Sequence, residues 1–204
     1  ERFSEDIDLN ILSETKPSES KRKKLKASIM ETIGDFNFTL VNPENVKSRR
    51  EFNRYIIDYP SVMSVNYLKE KLIIETAIYQ RTYPTKRMMA FSFIYRYLHE
   101  NGFDNFVTEN GLEPFELNVQ TAERTLIDKL YALSDYYLGD TITEHSRHIY
   151  DIYKLMSIIQ IDENLKSLAM QVAEERKPNA RCYSVQEGVN IKKVLTEIYF
   201  QHII

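Results

Sequence analysis

Arg2-Phe3-Ser4-Glu5-Asp6-Ile7-Asp8-Leu9-Asn10-Ile11 opens the chain on an alternating pattern. Phe3, Ile7, Leu9 and Ile11 interleave with Asp6, Asp8 and Asn10, the period of two that marks a strand, read here over residues 2–12. Residues two apart in a strand project to one face, so Asp6 and Asp8 stand side by side while Ile7 and Leu9 are expected to enter the core. Neighbouring carboxylates raise each other's proton affinity unless a cation sits between them. Oxygen ligands of this kind suit Mg²⁺, commonly held by one or two carboxylates and a substrate's phosphates. Asp-x-Asp is equally a solvated strand face, and spacing alone leaves both readings open.

Outward from this strand, Pro17 and Ser18 punctuate the chain. Ser18 or Ser20 is expected to cap a helix running to about Ile33, with Leu25, Ile29 and Ile33 at fourfold spacing and Gly34 as its stop. Residues 36–41 predict a short strand, and residues 52–57 and 62–68 a pair of strands around Asp58-Tyr59-Pro60. Residues 71–78, rich in β-branched side chains, predict a strong strand. A loop is expected over 79–86 and a helix over 87–100, with Phe91, Ile94, Tyr95 and Leu98 on one face. Residues 115–119 predict a last strand. Helical periods then fill 120–138, 144–160, 162–176 and 190–203, with Gly139 and Pro178 at two of the breaks. The layout is α+β: residues 1–119 mix strands and helices, and residues 120–204 are all helix.

Composition excludes several classes. The chain has 204 residues, 43% of them apolar and 28% charged, as in an ordinary globular protein. Five Gly and six Pro exclude collagen-like and Pro/Gly-rich disordered chains. No apolar run reaches the roughly 20 residues of a membrane helix. Cys182 is the single cysteine, which excludes an internal disulfide or a Cys-based zinc site and points to a reducing compartment. The opening Glu1-Arg2 carries no signal-peptide pattern, and the chain is expected to start inside a longer protein. The net charge of −3 neither demands nor excludes a nucleic-acid partner. Its distribution is uneven: Lys16, Lys21, Arg22, Lys23, Lys24 and Lys26 form one basic run, and Arg81, Lys86, Arg87 and Arg96 a looser group.

Glu75 interrupts the apolar strand at 71–78. It reads either as the outward face of an edge strand or, if that strand lies beside the first, as a third carboxylate beside Asp6 and Asp8. Lys129 and Asp151 each lie on a helical stretch; Arg147 and Asp151 have the i,i+4 spacing of a surface ion pair. The four His show no metal-ligand spacing, and no Gly-rich phosphate loop occurs. Lys21, Arg22, Lys23 and Lys24 read as a solvated helix face, or as an RNA-backbone contact beside a metal site.

Arg2-Phe3-Ser4-Glu5-Asp6-Ile7-Asp8-Leu9 resembles the metal-site stretch of the AbiEii toxin family of nucleotidyltransferase-like proteins. Leu72-Ile73-Ile74-Glu75 looks like the family's third-carboxylate strand, and Glu123-Arg124-Thr125 through Lys129 like its "ERT…K" helix. Arg147-His148 through Asp151 and Leu155 looks like its last motif. The resemblance implies a polymerase-β-like nucleotidyltransferase core, a mixed sheet with helices, followed by an all-helical C-terminal part. It implies Mg²⁺ at Asp6, Asp8 and Glu75, an NTP substrate contacted by Ser4, Lys129 and Arg147, and Asp151 as a helper carboxylate. It further implies transfer of NMP to an acceptor hydroxyl on tRNA, a cognate antitoxin as partner, a role in phage defence, and a prokaryotic cytoplasmic setting. The family's Gly-Gly or Gly-Ser turn, which holds the nucleotide phosphates, would lie upstream of Glu1. Two other readings stand beside this one: a non-catalytic RNA- or partner-binding member of the same fold, and phosphotransfer to a protein hydroxyl.

Overall fold

The computed structural model describes residues 6–11, 17–60, 71–77, 83–145 and 147–202. The chain divides into two compact units, Glu1–Thr82 and Tyr83–Ile204.

In the first unit, strand β1 (Asp6–Leu9) leads to helix α1 (Glu19–Asp35), then to β2 (Thr39–Leu40), β3 (Phe52–Asp58) and β4 (Lys71–Ala77). The sheet order is β1-β4-β3-β2, with β1 parallel to β4 and the other pairs antiparallel. α1 begins where expected: the Ser18 hydroxyl accepts from the Lys21 N–H at 3.3 Å. It ends one residue past Gly34. The left-handed residue that follows is Asn37 (φ 54°), a type that tolerates that conformation. The buried side of α1, Ile29 and Ile33, packs on Tyr55 and Ile57 of β3 with Leu9, Leu72 and Ile74 around them. The expected strand over 62–68 lies outside the described residues.

In the second unit, β5 (Thr85–Ala90) and β6 (Phe115–Gln120) form an antiparallel ribbon that encloses α2 (Phe93–Glu100) and α3 (Asp104–Glu109) in sequence. Four helices follow: α4 (Ala122–Leu138), α5 (Arg147–Met156), α6 (Glu163–Arg176) and α7 (Ile191–His202). The helix expected over 87–100 starts only at Phe93, where Ser92 caps it by accepting from the Tyr95 N–H at 3.0 Å. Residues 85–90 are strand instead. Lys86, Arg87, Met88 and Met89 carry no strong strand preference, but pairing of Met88 with Leu117 and Ala90 with Phe115 overrides local propensity. The ribbon thus groups with the helices rather than with the first sheet, the two compact units dividing at 82/83. α4 is the hub of this unit: Leu126, Ile127, Tyr131 and Leu133 share one core with Ile152, Leu165, Val172, Val194 and Ile198. Gly139 caps α4 as expected, and a Cβ there would meet the Tyr183 ring at 3.3 Å.

Candidate active site

The first unit carries the carboxylates. The parallel register pairs Asp8 with Glu75 and Asp6 with Ile73. In the same row, β3 sets Arg54 opposite Glu75. Strand alternation therefore puts Asp6, Asp8, Glu75 and Arg54 on one face, and Leu9, Ile74 and Tyr55 on the face that α1 covers. β4 is a central strand between β1 and β3, so the edge-strand reading of Glu75 fails. Leu9 enters the core as expected, but Ile7 is 43% exposed, on a strand at the edge of the described sheet. Glu75 meets the Arg54 guanidinium at 3.2 Å, with a quarter of its side-chain surface exposed (25%). Among the described residues no three His, Cys, Asp or Glu side chains are gathered closely enough to hold a metal ion. What Asp6, Asp8 and Glu75 share is donor chemistry: carboxylate oxygen on one face, the donor type that hard cations take. Ser4 lies outside the described residues.

The second unit carries the lysine. Lys129 Nζ on α4 donates to Asp151 Oδ2 on α5 at 2.9 Å, both side chains largely buried (21% and 12% exposed). Asp151 is thus tied across the helices to Lys129, whereas the sequence suggested a surface pair with Arg147, which is exposed. Lys129 Nζ also lies 3.3 Å from His148 Nδ1. Lysine offers only donors, so that ring nitrogen accepts and the neutral imidazole carries its proton on Nε2. His145 and His148 stack with Tyr136, at centroid distances of 3.6 and 5.7 Å.

Burial, then the nearby Lys129, Arg147 and His145 charges, pull His148 down from 6.5 to about 4, with Asp151 opposing. The folded state therefore refuses a proton that the unfolded chain accepts. This contribution to stability is complete above about pH 6.5 and is lost as the pH falls toward 4. We expect urea unfolding of the wild type to lose on the order of 2 kcal/mol more than His148→Gln over that window, after discounting for partial exposure. Parallel curves for the two proteins would show that His148 is protonated in the native state.

Residues 1–198 match the family model described as "Nucleotidyl transferase AbiEii toxin, Type IV TA system". The chain belongs to the AbiEii family. Its mixed α+β content accords with a nucleotidyltransferase-like fold. Searches among curated proteins and among solved structures returned no match. No helix among the described residues is long and apolar enough to cross a membrane.

Among the described residues of this AbiEii chain, the most deeply buried charge is one that sequence reasoning passed over. Arg124, 2% exposed, donates from Nε to Asp128 Oδ2 at 3.1 Å, from Nη1 to the Tyr83 carbonyl at 2.8 Å, and pairs through Nη2 with Glu175 Oε2 at 2.9 Å. It ties the start of the ribbon, α4 and α6 together. Gln120 also donates to Asp128 Oδ2, at 2.9 Å. Burial pushes the Asp128 carboxyl up, against the opposing pull of Arg124. The i,i+4 spacing of Arg124 and Asp128 was the only local signal; Glu175 lies 51 positions beyond Arg124. A second pair, Arg176 to Asp135 at 2.7 Å, joins α6 to α4. Cys182 is buried, and that burial pushes its thiol up, so it is a packing residue.

The basic run divides. Lys21, Lys23 and Lys24 are exposed, with Lys23 paired to Glu19 at 3.3 Å. Arg22 Nη1 instead donates to the Arg49 carbonyl at 3.2 Å, and Lys26 Nζ to the Val46 carbonyl at 2.8 Å. Of the looser basic group, Arg87 pairs with Glu116 at 2.8 Å and Arg96 lies over the Phe93 ring. Lys16 and Arg81 lie outside the described residues.

Proposed function

We propose that this AbiEii member is a Mg²⁺-dependent nucleotidyltransferase that moves NMP from an NTP to an acceptor hydroxyl, on tRNA. What supports the reading is the parallel register in which Asp8 and Glu75 are partners, with Asp6 on the same face. Asp6 and Asp8 would hold the metal and Glu75 complete the set. Bound there, Mg²⁺ would neutralise phosphate charge and lower the pKa of the attacking hydroxyl. The acceptor oxygen would attack the α-phosphorus as the bond to the bridging oxygen breaks and pyrophosphate leaves, the hydroxyl's proton passing to water.

The protein groups have separate tasks. Glu75 has an ion-pair partner in Arg54, which holds the carboxylate on its face and gives it up when a stronger cation arrives. In the second unit, Lys129 offers an ammonium to a phosphate, and Asp151 with His148 keeps that ammonium pointed. Arg147, exposed at the start of α5, is the second cation offered to a phosphate. Ser4 stays assigned to the substrate through the family motif. The family's toxin–antitoxin description supports reading the chain as a toxin relieved by a cognate antitoxin, and we add a part in phage defence to that proposal.

The test uses full-length protein, including any sequence upstream of Glu1, with Mg²⁺, each α-labelled NTP in turn, and total tRNA. Label on tRNA is the expected result and names the nucleotide. Label on protein would replace tRNA by a protein hydroxyl. RNA retention with no label on any acceptor would leave a non-catalytic binding protein of the same fold.

A further inference from the structure

We propose that Arg22, Lys26 and Arg50 form a phosphate-binding site on the face of the first sheet opposite the carboxylates. These three cations line one small cavity, of about 10 Å³, together with Ser48, Asn53 and Thr76. Thr76 and Asn53 are register partners one residue along from the Glu75–Arg54 row, so they point to the other face, the one that α1 covers.

Three observations point to an anion. The hydrogen bonds that hold the cations end on backbone carbonyls: Arg22 on Arg49, Lys26 on Val46 and Arg50 on Asn45. A carbonyl fixes a guanidinium in place but leaves its charge uncancelled. Glu19, the acid at the start of α1, meets Lys23 and Arg49 instead. Next, Arg22 Nε is buried and has no hydrogen-bond partner among the described residues. A buried donor of this kind is rare and calls for a partner that enters from outside. Finally, the cavity's volume of about 10 Å³ is on the scale of a single oxygen atom. A water would satisfy the donor without meeting the charge; one oxygen of a phosphate would do both. The first turn of α1, where Arg22 lies, adds the positive end of a helix dipole.

The same oxyanion is borne by free phosphate and by an RNA backbone, and two probes separate the sources. Inorganic phosphate is titrated calorimetrically, and a short labelled RNA by anisotropy over a salt series. We expect Arg22→Gln and Arg50→Gln each to weaken binding about tenfold and, for RNA, to lower the salt slope by about one. Lys21→Gln and Lys24→Gln, which remove the same charge from the exposed side of α1, should change binding less than about twofold. Loss confined to the RNA titration names the backbone as the source; loss in both names the free anion as sufficient. Equal losses from all four substitutions would reduce the site to a diffuse basic face and overturn it. Because Arg22 also tethers the loop before β3, the unaltered protein supplies a second reading: the Arg22 Nε–H resonance should shift on adding phosphate or RNA. An unmoved resonance overturns the proposal. None of these measurements needs transfer activity, so the site stands or falls apart from the catalytic reading.

Discussion

Arg124→Ala is expected to destabilise the second unit by about 3–5 kcal/mol, the cost of breaking a buried ion network from one side. Its guanidinium holds three groups at once: Asp128 at 3.1 Å, the Tyr83 carbonyl at 2.8 Å and Glu175 at 2.9 Å. Removing it takes the guanidinium away from two carboxylates, and Glu175 keeps only 12% of its side-chain surface for water to reach. For a chain of this length the melting temperature should fall by ~10–15 °C. Arg124→Lys should recover less than half, because one ammonium cannot span three directions that a planar fork meets together. Neutralising the two carboxylates as well, as in Arg124→Met/Asp128→Asn/Glu175→Gln, should recover more than lysine does, since buried pairs are worth little against apolar replacement. The sign with pH is also fixed. Burial already raises the Asp128 carboxyl and Arg124 opposes that rise, so the alanine variant raises it further. A carboxyl whose folded value lies above its unfolded value destabilises at neutral pH, and the penalty is relieved as the pH falls through the folded value. The deficit of Arg124→Ala should therefore narrow in acid. A loss below about 1 kcal/mol in urea unfolding would show that Arg124 is not a structural clamp.

The sequence carried the fold where local and long-range preferences agree. Leu72-Ile73-Ile74-Glu75-Thr76-Ala77 is strand by composition and strand in the sheet. α4 and α6 have apolar stripes, side-chain caps at Thr121 and Asp162, and nearby breaks at Gly139 and Pro178; their predicted bounds fall within two residues. The ribbon was lost because Thr85-Lys86-Arg87-Met88-Met89-Ala90 is strand only through its partner, thirty residues on. The Asp6/Asp8 pairing was legible from the period of two. Their relation to Glu75 was conditional on a pairing of strands 67 residues apart, which no local pattern fixes. The same limit hid the partners of Lys129 and Arg124. Helical spacing reveals a neighbour one turn away, such as Arg147 for Asp151, but the bond formed is to Lys129, 22 residues back. Cations were legible as a run at 21–26, whereas their division into exposed lysines and loop-tethered Arg22 and Lys26 depends on how 46–50 folds over α1.

Asp8→Asn is expected to reduce nucleotide transfer by roughly 10³-fold or more while leaving the melting temperature within about 2 °C of wild type. The substitution keeps shape and removes one charge from the row that Asp8 shares with Glu75 and Arg54. Asp8 is exposed on a strand at the edge of the described sheet, where surface exchanges usually cost little. The contrast with Arg124 is the point: a clamp loses stability first, whereas a ligand set loses turnover and keeps its fold. Asp6→Asn should behave as Asp8→Asn does, since alternation puts both on one face. Glu75→Gln separates two roles in one residue. Its ion pair with half-exposed Arg54 is worth at most about 1 kcal/mol, so stability should barely move, yet a third carboxylate is gone and transfer should fall steeply. Divalent-ion affinity, followed by titrating Mn²⁺ into each variant, should fall in parallel with turnover. Transfer retained by Asp8→Asn and Asp6→Asn would remove these carboxylates from the reaction, and transfer lost together with a fall of many degrees in melting temperature would make them structural.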